Sequence, residues 1–345
     1  MKSTVFIKPG EVAVEEVAKP TLQKDDDVII RVLNACVCGS DLWAYNGVNE
    51  KEAHSQNNGH ESIGIVEEVG NDIVTVKPGD FVIAPFTHGC GHCAACIAGY
   101  EGGCLNHDDN FSNGNQAEYV RYQHADWSLV KIPGKPEDYS QAMHKSFLAL
   151  ADVMPTGYHA ARTARVKPGD TVVVVGDGAV GLCGVISAKL RGAKQIIIMS
   201  RYEKRQKLAK EFGATHVIAE RGDEAVEKVM ALTNNVGADA VLECVGTDLS
   251  TETALKVARP GATVGRVGLP HTDHVDTNAS FQKNVALAGG PASVTTYDKG
   301  LLLNAVLNGD INPGKVFDQS FKLDDVNQAY KAMQDRKAIK SFLIV

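Results

Sequence analysis

Four side chains that can bind a metal or move a proton stand within one short stretch of the chain. Cys38 and Ser40 open it in the run Cys-Gly-Ser-Asp, and His60 and Glu61 close it after a glycine. A thiolate and a neutral imidazole from two segments are borderline-soft ligands that suit zinc, and a site with three protein ligands leaves a fourth position for substrate. Taken alone, the pattern fits a buried cysteine and a core histidine equally well. We interpret it as a catalytic metal site.

A second set of thiols has a more regular spacing, C-x2-C-x2-C-x7-C, formed by Cys90, Cys93, Cys96 and Cys104. Four thiolates can close tetrahedrally on one zinc and leave no open position, which is typical of a structural site. An iron–sulfur centre is the nearest alternative, but the long gap before the last cysteine and the lack of a following proline disfavour it. His92 and His107 lie in the same loop and stay unassigned, because four thiolates complete the shell.

An apolar strand followed at once by a glycine-rich turn indicates a dinucleotide site. The strand is predicted over Thr171–Val175, the turn reads Gly-Asp-Gly-Ala-Val-Gly, and an apolar helical stretch then runs to Leu190. In this setting the glycines allow a tight turn, close approach to the pyrophosphate and close helix packing, while the helix N-terminus binds the anion. The residues expected at the cofactor are Gly176, Gly178, Ala179, Val180 and Gly181.

The end of the next predicted strand, Gln195–Met199, bears on the choice between the two nicotinamide cofactors. An acidic residue there would bind the ribose hydroxyls of NAD, but the chain has Ser200, Arg201 and Tyr202. A guanidinium beside a hydroxyl suits the 2′-phosphate of NADP. Alternatively, Arg201 is a solvated charge and Glu203 turns back toward the ribose. We favour NADP(H), with NAD(H) as the alternative.

The pattern of strands and helices divides the chain into segments. Short β-rich runs over 12–14, 28–33, 63–69 and 81–84 predict an all-β lobe with short connections. Strands alternate with helices between about 171 and 267, which predicts an α/β domain with a doubly wound parallel sheet. Helices over 301–308 and 326–334 precede a strand over 341–345 that returns to the first lobe. Ligands bind beyond the carboxyl ends of parallel strands, which adds Val245, Gly246, Val267 and Gly268 to the cofactor site.

Composition limits the classes of function. A chain of 345 residues predicts about two domains. The net charge of −7 gives no electrostatic reason to expect nucleic acid or an anionic membrane as partner. No apolar run approaches the roughly 20 residues that span a bilayer, and no signal-peptide core precedes Pro9. Eight cysteines without a secretion signal indicate thiols and metal ligands, so we expect a cytoplasmic protein.

In this order the motifs resemble the zinc-dependent medium-chain alcohol dehydrogenase family. Its zinc signature is matched by Gly59-His60-Glu61-x2-Gly64-x5-Gly70-x2-Ile73, and the run from Asp152 to Tyr158 also matches. The resemblance covers essentially the whole chain. It implies a mainly β GroES-like catalytic domain over 1–152 with a zinc lobe near 88–106, an NADP-binding Rossmann domain over 153–292, and a return to the catalytic domain over 293–345.

The resemblance also implies roles. The catalytic zinc ligands would be Cys38, His60 and Asp152, where many members carry cysteine at the last position, and Glu61 would be a supporting or intermittent ligand. The type with aspartate resembles bacterial secondary-alcohol dehydrogenases that use NADP. Ser40 would relay the alcohol proton and Lys340 would meet a cofactor phosphate. The remaining implied residues, which border the substrate pocket, are Trp43, Phe86 and Phe111.

One position departs from the family pattern. Trp43 stands where related enzymes often have a histidine that passes the proton toward solvent, so the relay beyond Ser40 is left open. His54 could substitute only if its loop folds inward, and a solvated loop histidine is the favoured interpretation.

The expected function is transfer of hydride between a primary or secondary alcohol, or an aldehyde or ketone in reverse, and NADP(H), with two zinc ions per subunit. An NAD-dependent polyol or amino-alcohol dehydrogenase of the same family is the alternative. A non-catalytic NADPH-binding structural protein is a remote one, because a scaffold has no need of the complete set of catalytic side chains. The family further implies a homo-oligomer, either a dimer or a tetramer.

Overall fold

The computed structural model describes residues 1–106, 111–271 and 275–345. The chain divides into two compact units. The first consists of Met1–Asp152 together with Ser293–Val345, and the second is Val153–Ala292. None of the helices in the described ranges is long and apolar enough to cross a membrane.

The first unit begins with mainly extended chain, as its β-branched runs and Pro-Gly turns predict, but it is not all-β. A nine-residue helix over Gln141–Ala149 lies within it, and the hydroxyl of Ser140 caps that helix by accepting a hydrogen bond from the Met143 amide. The elements are β1 (Lys2–Lys8), β2 (Glu11–Glu16), β3 (Val28–Val37), α1 (Asp41–Tyr45), β4 (Ser62–Val69), β5 (Phe81–Ala84), α2 (Ala94–Ile97), β6 (Tyr119–Tyr122), α3 (Ala125–Ser128), β7 (Val130–Lys131) and α4 (Gln141–Ala149).

The second unit is a parallel α/β domain, as its alternating pattern predicts. Its core packs the apolar face of the sheet against helices, with Val173, Val241 and Val264 among its buried strand residues. The elements are α5 (Val153–Thr163), β8 (Thr171–Val175), α6 (Ala179–Leu190), β9 (Gln195–Met199), α7 (Glu203–Phe212), β10 (His216–Ile218), α8 (Gly222–Leu232), β11 (Ala238–Glu243), α9 (Asp248–Val257), β12 (Ala258–Arg266), α10 (Thr277–Lys283) and β13 (Ala286–Gly289). Its six strands run in the order β10-β9-β8-β11-β12-β13, and every pairing is parallel.

The chain then completes the first unit. The predicted helix over 301–308 begins earlier, at Thr296, because the hydroxyl of Thr295 caps the helix by accepting from the Asp298 amide. The elements are α11 (Thr296–Leu307), β14 (Phe317–Lys322), α12 (Val326–Gln334) and β15 (Lys340–Ile344), and short 3-10 helices lie at Glu101–Gly103, Pro136–Asp138, Pro313–Val316 and Leu323–Asp325.

A seven-stranded sheet joins the two parts of the first unit. Its order is β14-β15-β3-β4-β5-β7, and β6 also pairs with β3. The C-terminal strand β15 lies antiparallel to β3, with Phe342 opposite Cys36. The centre of this sheet therefore contains strands from both ends of the sequence.

Candidate metal and cofactor sites

The sheet of the first unit brings three separate segments to one place. Cys38 directly follows β3, while His60 and Glu61 directly precede β4, the antiparallel neighbour of β3. β5 pairs with the other side of β4, and just beyond β5 the amide of Phe86 donates to the carbonyl of Ala151 at 2.9 Å. That hydrogen bond fixes the chain next to Asp152.

The gathered side chains have the spacing of a metal site. One ligand atom from each of Cys38, His60, Glu61 and Asp152 can be chosen so that all four lie within 4.8 Å of one another. The Oδ2 atom of Asp152 is 3.5 Å from Cys38 Sγ and 3.4 Å from His60 Nε2. Two ligands on one tetrahedral zinc, with bonds of about 2.0–2.3 Å, lie roughly 3.4–3.6 Å apart. The donor set therefore fits zinc at its existing spacing.

Asp41 bonds to the backbone of one of these residues and lies near the ring of another. Its Oδ2 atom accepts from the Cys38 amide at 2.9 Å, and its Oδ1 atom lies 3.7 Å from His60 Nδ1. The side chain of Gln116 donates to the Cys36 carbonyl at 2.9 Å and to Asp41 at 3.4 Å. A carboxylate on the far nitrogen of a ligating histidine orients the ring. Asp41 stands in the Cys-Gly-Ser-Asp motif, yet sequence reasoning assigned it no role.

The surroundings of His60 favour a positive charge. Burial lowers the pKa of His60, but its hydrogen bonds with Asp152 and Cys38 and the negative charges around it outweigh burial and raise the pKa well above its usual value. Without a metal the imidazole therefore attracts a proton. The same field would favour a bound cation.

Glu61 and Lys340 form a buried ion pair beside these ligands. Both side chains are 1% exposed, and the ammonium of Lys340 donates to Glu61 Oε1 at 2.7 Å and to the Val37 carbonyl at 3.3 Å. Burial raises the pKa of Glu61, and the positive charge of Lys340 opposes that rise. The second carboxylate oxygen, Oε2, is buried without a hydrogen-bond partner among the described residues, so it has capacity for a metal. The predicted contact of Lys340 with a cofactor phosphate stays a prediction.

Ser40 presents a hydroxyl that its own helix does not use. It occupies the N-cap position of α1, but its backbone is helical and its side chain makes no capping hydrogen bond. Most serines at this position accept a bond from the helix backbone. Ser40 is exposed, and Trp43 lies three residues further along α1.

Of the three predicted pocket residues, one lies beside His60 and a second stacks on the first. The ring of Phe86 is 5.9 Å from that of His60, and Phe111 stacks on Phe86 at 6.1 Å. His54 does not join them, because its ring is 66% exposed and bonded to Glu15 at 2.9 Å. The interpretation of His54 as a solvated loop histidine is thus confirmed.

The four cysteines of the regular motif also form one cluster. The Sγ atoms of Cys93 and Cys104 are 3.8 Å apart, which is about the separation of two thiolates on one tetrahedral zinc. Hydrogen bonds from the amides of Leu105 and Cys96 lower the pKa of Cys93 to about 6, so its thiol is ready to ionise. His92 bonds to the Cys90 carbonyl at 2.8 Å and is exposed. His107 lies outside the described residues.

The glycine-rich turn of the second unit has the geometry that its motif predicts. Gly176 has a positive φ of 112°, and a Cβ atom on Gly181 would overlap the Gly176 carbonyl. A Cβ atom on Gly178, which caps α6, would meet nothing within 4 Å. Ala179 and Val180 form the first turn of α6. Open space therefore faces the N-terminus of this helix, as an anion site requires.

The other predicted walls of the cofactor site lie side by side at the carboxyl ends of β11 and β12. The amides of Val267 and Gly268 donate to the Glu243 carbonyl, and those of Val245 and Gly246 donate to its carboxylate at 2.8 Å. Glu243 is fully buried and was not identified from the sequence. Its carboxylate fixes the loop at Val245 and Gly246, and its backbone carbonyl fixes the loop at Val267 and Gly268.

At the end of β9 the structure adds a residue to the predicted set. Ser200 is buried, Arg201 is exposed, and both bond to the carboxylate of Asp177 from the glycine-rich turn. Tyr202 caps α7, and Glu203 bonds to Lys207 at 2.7 Å instead of turning back. Asp177 occupies a variable position of the motif, so the motif gave no signal for it.

Comparison with known proteins agrees with this arrangement. Residues 24–134 match the alcohol dehydrogenase GroES-like domain and residues 179–297 match the zinc-binding dehydrogenase domain. The chain is 32% identical to zinc-type alcohol dehydrogenase B of Aspergillus flavus, over 99% of this chain and 80% of that protein. The first unit is thus a GroES-like domain and the second a Rossmann-like one.

Two solved structures are similar over the whole chain. Alcohol dehydrogenase TADH from Thermus sp. ATN1 has a TM-score of 0.89 and 31% identity, with all of both chains covered. Zinc dependent alcohol dehydrogenase 2 from Streptococcus pneumonia has a TM-score of 0.89 and 30% identity, covering 100% of this chain and 98% of that one. The chain belongs to the zinc-dependent medium-chain alcohol dehydrogenase family, and its function is that of a zinc-type alcohol dehydrogenase oxidoreductase.

Proposed function

We propose that this enzyme transfers hydride between a primary or secondary alcohol and NADP(H), and acts on the aldehyde or ketone in reverse. The observation that carries the proposal is the cluster of Cys38, His60 and Asp152, whose donor atoms are already spaced for one tetrahedral zinc. Glu61 supports it with a buried oxygen that has no hydrogen-bond partner among the described residues. The four-cysteine cluster would hold a second, structural zinc.

Bound groups and side chains divide the chemistry between them. A zinc ion at the first cluster supplies Lewis acidity toward the substrate oxygen, and the nicotinamide supplies the hydride carrier. During oxidation the Ser40 hydroxyl accepts the proton of the substrate hydroxyl as it releases its own proton to solvent, and during reduction both transfers run in reverse. Because Ser40 is exposed, solvent can exchange that proton directly, and no histidine is needed at the position of Trp43. Phe86, with Phe111 stacked on it, offers an apolar surface beside His60 that orients the substrate.

The cofactor binds the second unit at the turn between β8 and α6. The open space at Gly178 admits the pyrophosphate to the helix N-terminus. Ser200 and Arg201 supply a hydroxyl and a guanidinium for the 2′-phosphate, and Tyr202 adjoins them. Arg201 is exposed and forms no ion pair with any described residue, so its charge is open to a ligand. These features favour NADP(H) over NAD(H).

We further propose a homo-oligomer in the cytoplasm. β13 is the last strand of its sheet and is largely exposed, and Leu287 within it is 38% exposed. An uncovered apolar edge strand is a surface that proteins usually cover. Light scattering of the purified enzyme would distinguish a monomer from a dimer or a tetramer.

Zinc content tests the metal assignment. Wild-type enzyme should contain two zinc ions per subunit, and His60→Ala should contain one and lose turnover while its circular dichroism spectrum is kept. His54→Ala is the matched control, because this exposed histidine lies outside the cluster and its loss should change neither value. If the wild type contains one zinc ion per subunit and His60→Ala retains it, the result would contradict a catalytic metal at this cluster. It would also favour the structural-protein alternative.

Cofactor titrations test the NADP assignment. Dissociation constants for NADPH and NADH should favour NADPH in the wild type, and Arg201→Ala should weaken NADPH far more than NADH. Equal losses for both cofactors would remove the assignment of Arg201 to the 2′-phosphate.

A further inference from the structure

The carboxylate of Asp177 lies at the end of β9, where parallel nucleotide-binding domains often have an acidic side chain for the ribose. Here that carboxylate comes from the glycine-rich turn and not from the strand. Its Oδ2 atom accepts from the Ser200 hydroxyl at 3.0 Å and from the Arg201 amide at 3.1 Å. Its Oδ1 atom accepts from Nη1 of Arg205, in the first turns of α7, at 2.9 Å.

These contacts leave the carboxylate little capacity for a ribose. A carboxylate has about four acceptor sites, and three of them are used within the protein. The Asp177 side chain is also only 12% exposed. The Asp177 carboxylate therefore serves to position the Ser200 hydroxyl and the Arg201 backbone at the end of β9.

Arg205 neutralises the negative charge of the Asp177 carboxylate. It is the cation paired with Asp177, its side chain is 16% exposed, and its guanidinium lies 5.4 Å from the centre of the Tyr202 ring. Packing on the ring and the second contact of Nη1 with the Asp177 carbonyl, at 3.4 Å, keep the guanidinium in place. The pair is neutral as a unit, so the exposed guanidinium of Arg201 determines the net charge at the strand end.

We propose that the Asp177–Arg205 ion pair is a specificity switch for the cofactor. Arg205 is a positioning residue that makes the 2′-phosphate acceptable by neutralising Asp177. Without Arg205, the carboxylate would repel the phosphate and discriminate against NADPH. This inference rests on the proposal that the 2′-phosphate binds at Ser200 and Arg201.

The charges predict how the ratio of the two dissociation constants, NADPH over NADH, should change. Arg205→Met exposes a carboxylate charge next to the phosphate and should raise the ratio on the order of 10- to 100-fold. Arg205→Lys keeps the positive charge and should keep most of the preference. Asp177→Asn removes the negative charge and should leave the ratio unchanged or shift it toward NADPH.

The decisive test is a double-mutant cycle measured by nucleotide fluorescence at fixed ionic strength. If Arg205 acts by neutralising Asp177, Asp177→Asn/Arg205→Met should return the ratio close to that of Asp177→Asn. Lys207→Met is the matched control, since it removes a positive charge from the same helix where Lys207 pairs with the exposed Glu203. The control should leave the ratio unchanged.

Two results would overturn the inference. One is an equal loss of NADPH and NADH affinity in Arg205→Met. The other is that Arg205→Met changes the ratio of dissociation constants as much in the Asp177→Asn background as it does in the wild type. A wild type that prefers NADH would instead refute the NADP proposal, and the coupling between the two side chains would still be measured in that enzyme. Melting temperatures of all variants identify any that fold poorly; if Arg205→Met is one of them, Arg205→Gln, which also removes the positive charge, replaces it in the cycle.

Discussion

The buried pair of Lys340 and Glu61 allows a sharp prediction about stability. Lys340→Met removes the ammonium that lies 2.7 Å from the Glu61 carboxylate, and both side chains are 1% exposed. The Glu61 carboxylate would then lose the partner of its Oε1 atom, while its Oε2 atom already lacks a hydrogen-bond partner among the described residues. Asp152, which also raises the pKa of Glu61, adds repulsion.

The expected loss follows from the burial of the pair. Removing one partner of a buried ion pair costs about 3–5 kcal/mol, because the other charge stays buried without compensation. For a unit of this size such a loss lowers Tm by roughly 6–20 °C. A metal at this cluster would compensate part of the carboxylate charge, so the loss from Lys340→Met should be larger in a His60→Ala background, which lacks that metal, than in zinc-loaded enzyme. Lys340→Met/Glu61→Gln should recover most of the loss, since no unpaired charge remains.

Calorimetry of the two single variants and the double variant measures these values, with zinc content and NADPH affinity determined on the same samples. A loss of unfolding free energy below about 1 kcal/mol in Lys340→Met would refute the reasoning, because breaking a buried ion pair destabilises a protein by more than that. A double variant no more stable than Lys340→Met would refute it as well. If Lys340→Met weakens NADPH binding and the added Glu61→Gln substitution does not restore it, the result would support the predicted contact of Lys340 with a cofactor phosphate.

Three further predictions concern the other parts of the molecule. In zinc-depleted enzyme, iodoacetamide should label Cys93 with a midpoint at pH about 6, since its thiolate forms as pH rises through that value; a midpoint at the ordinary value of about 8.5 would contradict the prediction. Gly181→Ala should abolish measurable NADPH binding, because its Cβ atom overlaps the Gly176 carbonyl; binding titrations check this, with Gly300→Ala as the control, since a Cβ atom there meets nothing within 4 Å. Phe86→Ala should change the ratio of kcat/KM between a small and a bulky alcohol by about 10- to 200-fold, and an unchanged ratio would place the substrate elsewhere.

Local spacing made much of the molecule predictable. The four-cysteine motif, the strand before the glycine-rich turn and the helix over Glu203–Phe212 each depend on neighbours in sequence, and the structure contains each of these elements. Asp152 was different. It was identified from a resemblance, because the hydrogen bond between Phe86 and Ala151 that fixes its position joins distant parts of the chain.

The residues that sequence reasoning missed are those whose function depends on a contact across segments. Asp177 looks like a variable position until Ser200 and Arg205 surround it, and Glu243 looks like the polar end of a strand until the two loops close over it. Lys340 was placed at a cofactor phosphate from resemblance, whereas its partner Glu61 became evident only through the pairing of β15 with β3. The all-β prediction for the first lobe failed because α4 is short and its serine cap is a weak signal.

The pairing of β15 with β3 has a consequence for the order in which the protein can be made. β3 leaves the ribosome early, but β15, which pairs with its last residues Asn34–Val37, is translated only after the whole second unit, residues 153–292. During that interval β6 can pair with the first part of β3, but the edge at Asn34–Val37 stays open, which invites pairing with other nascent chains. Lys340, whose ammonium pairs with the Glu61 carboxylate, is translated at the same late stage, because it is the first residue of β15. We therefore expect the metal-binding unit to mature after the nucleotide-binding unit, although its first residues are made before it.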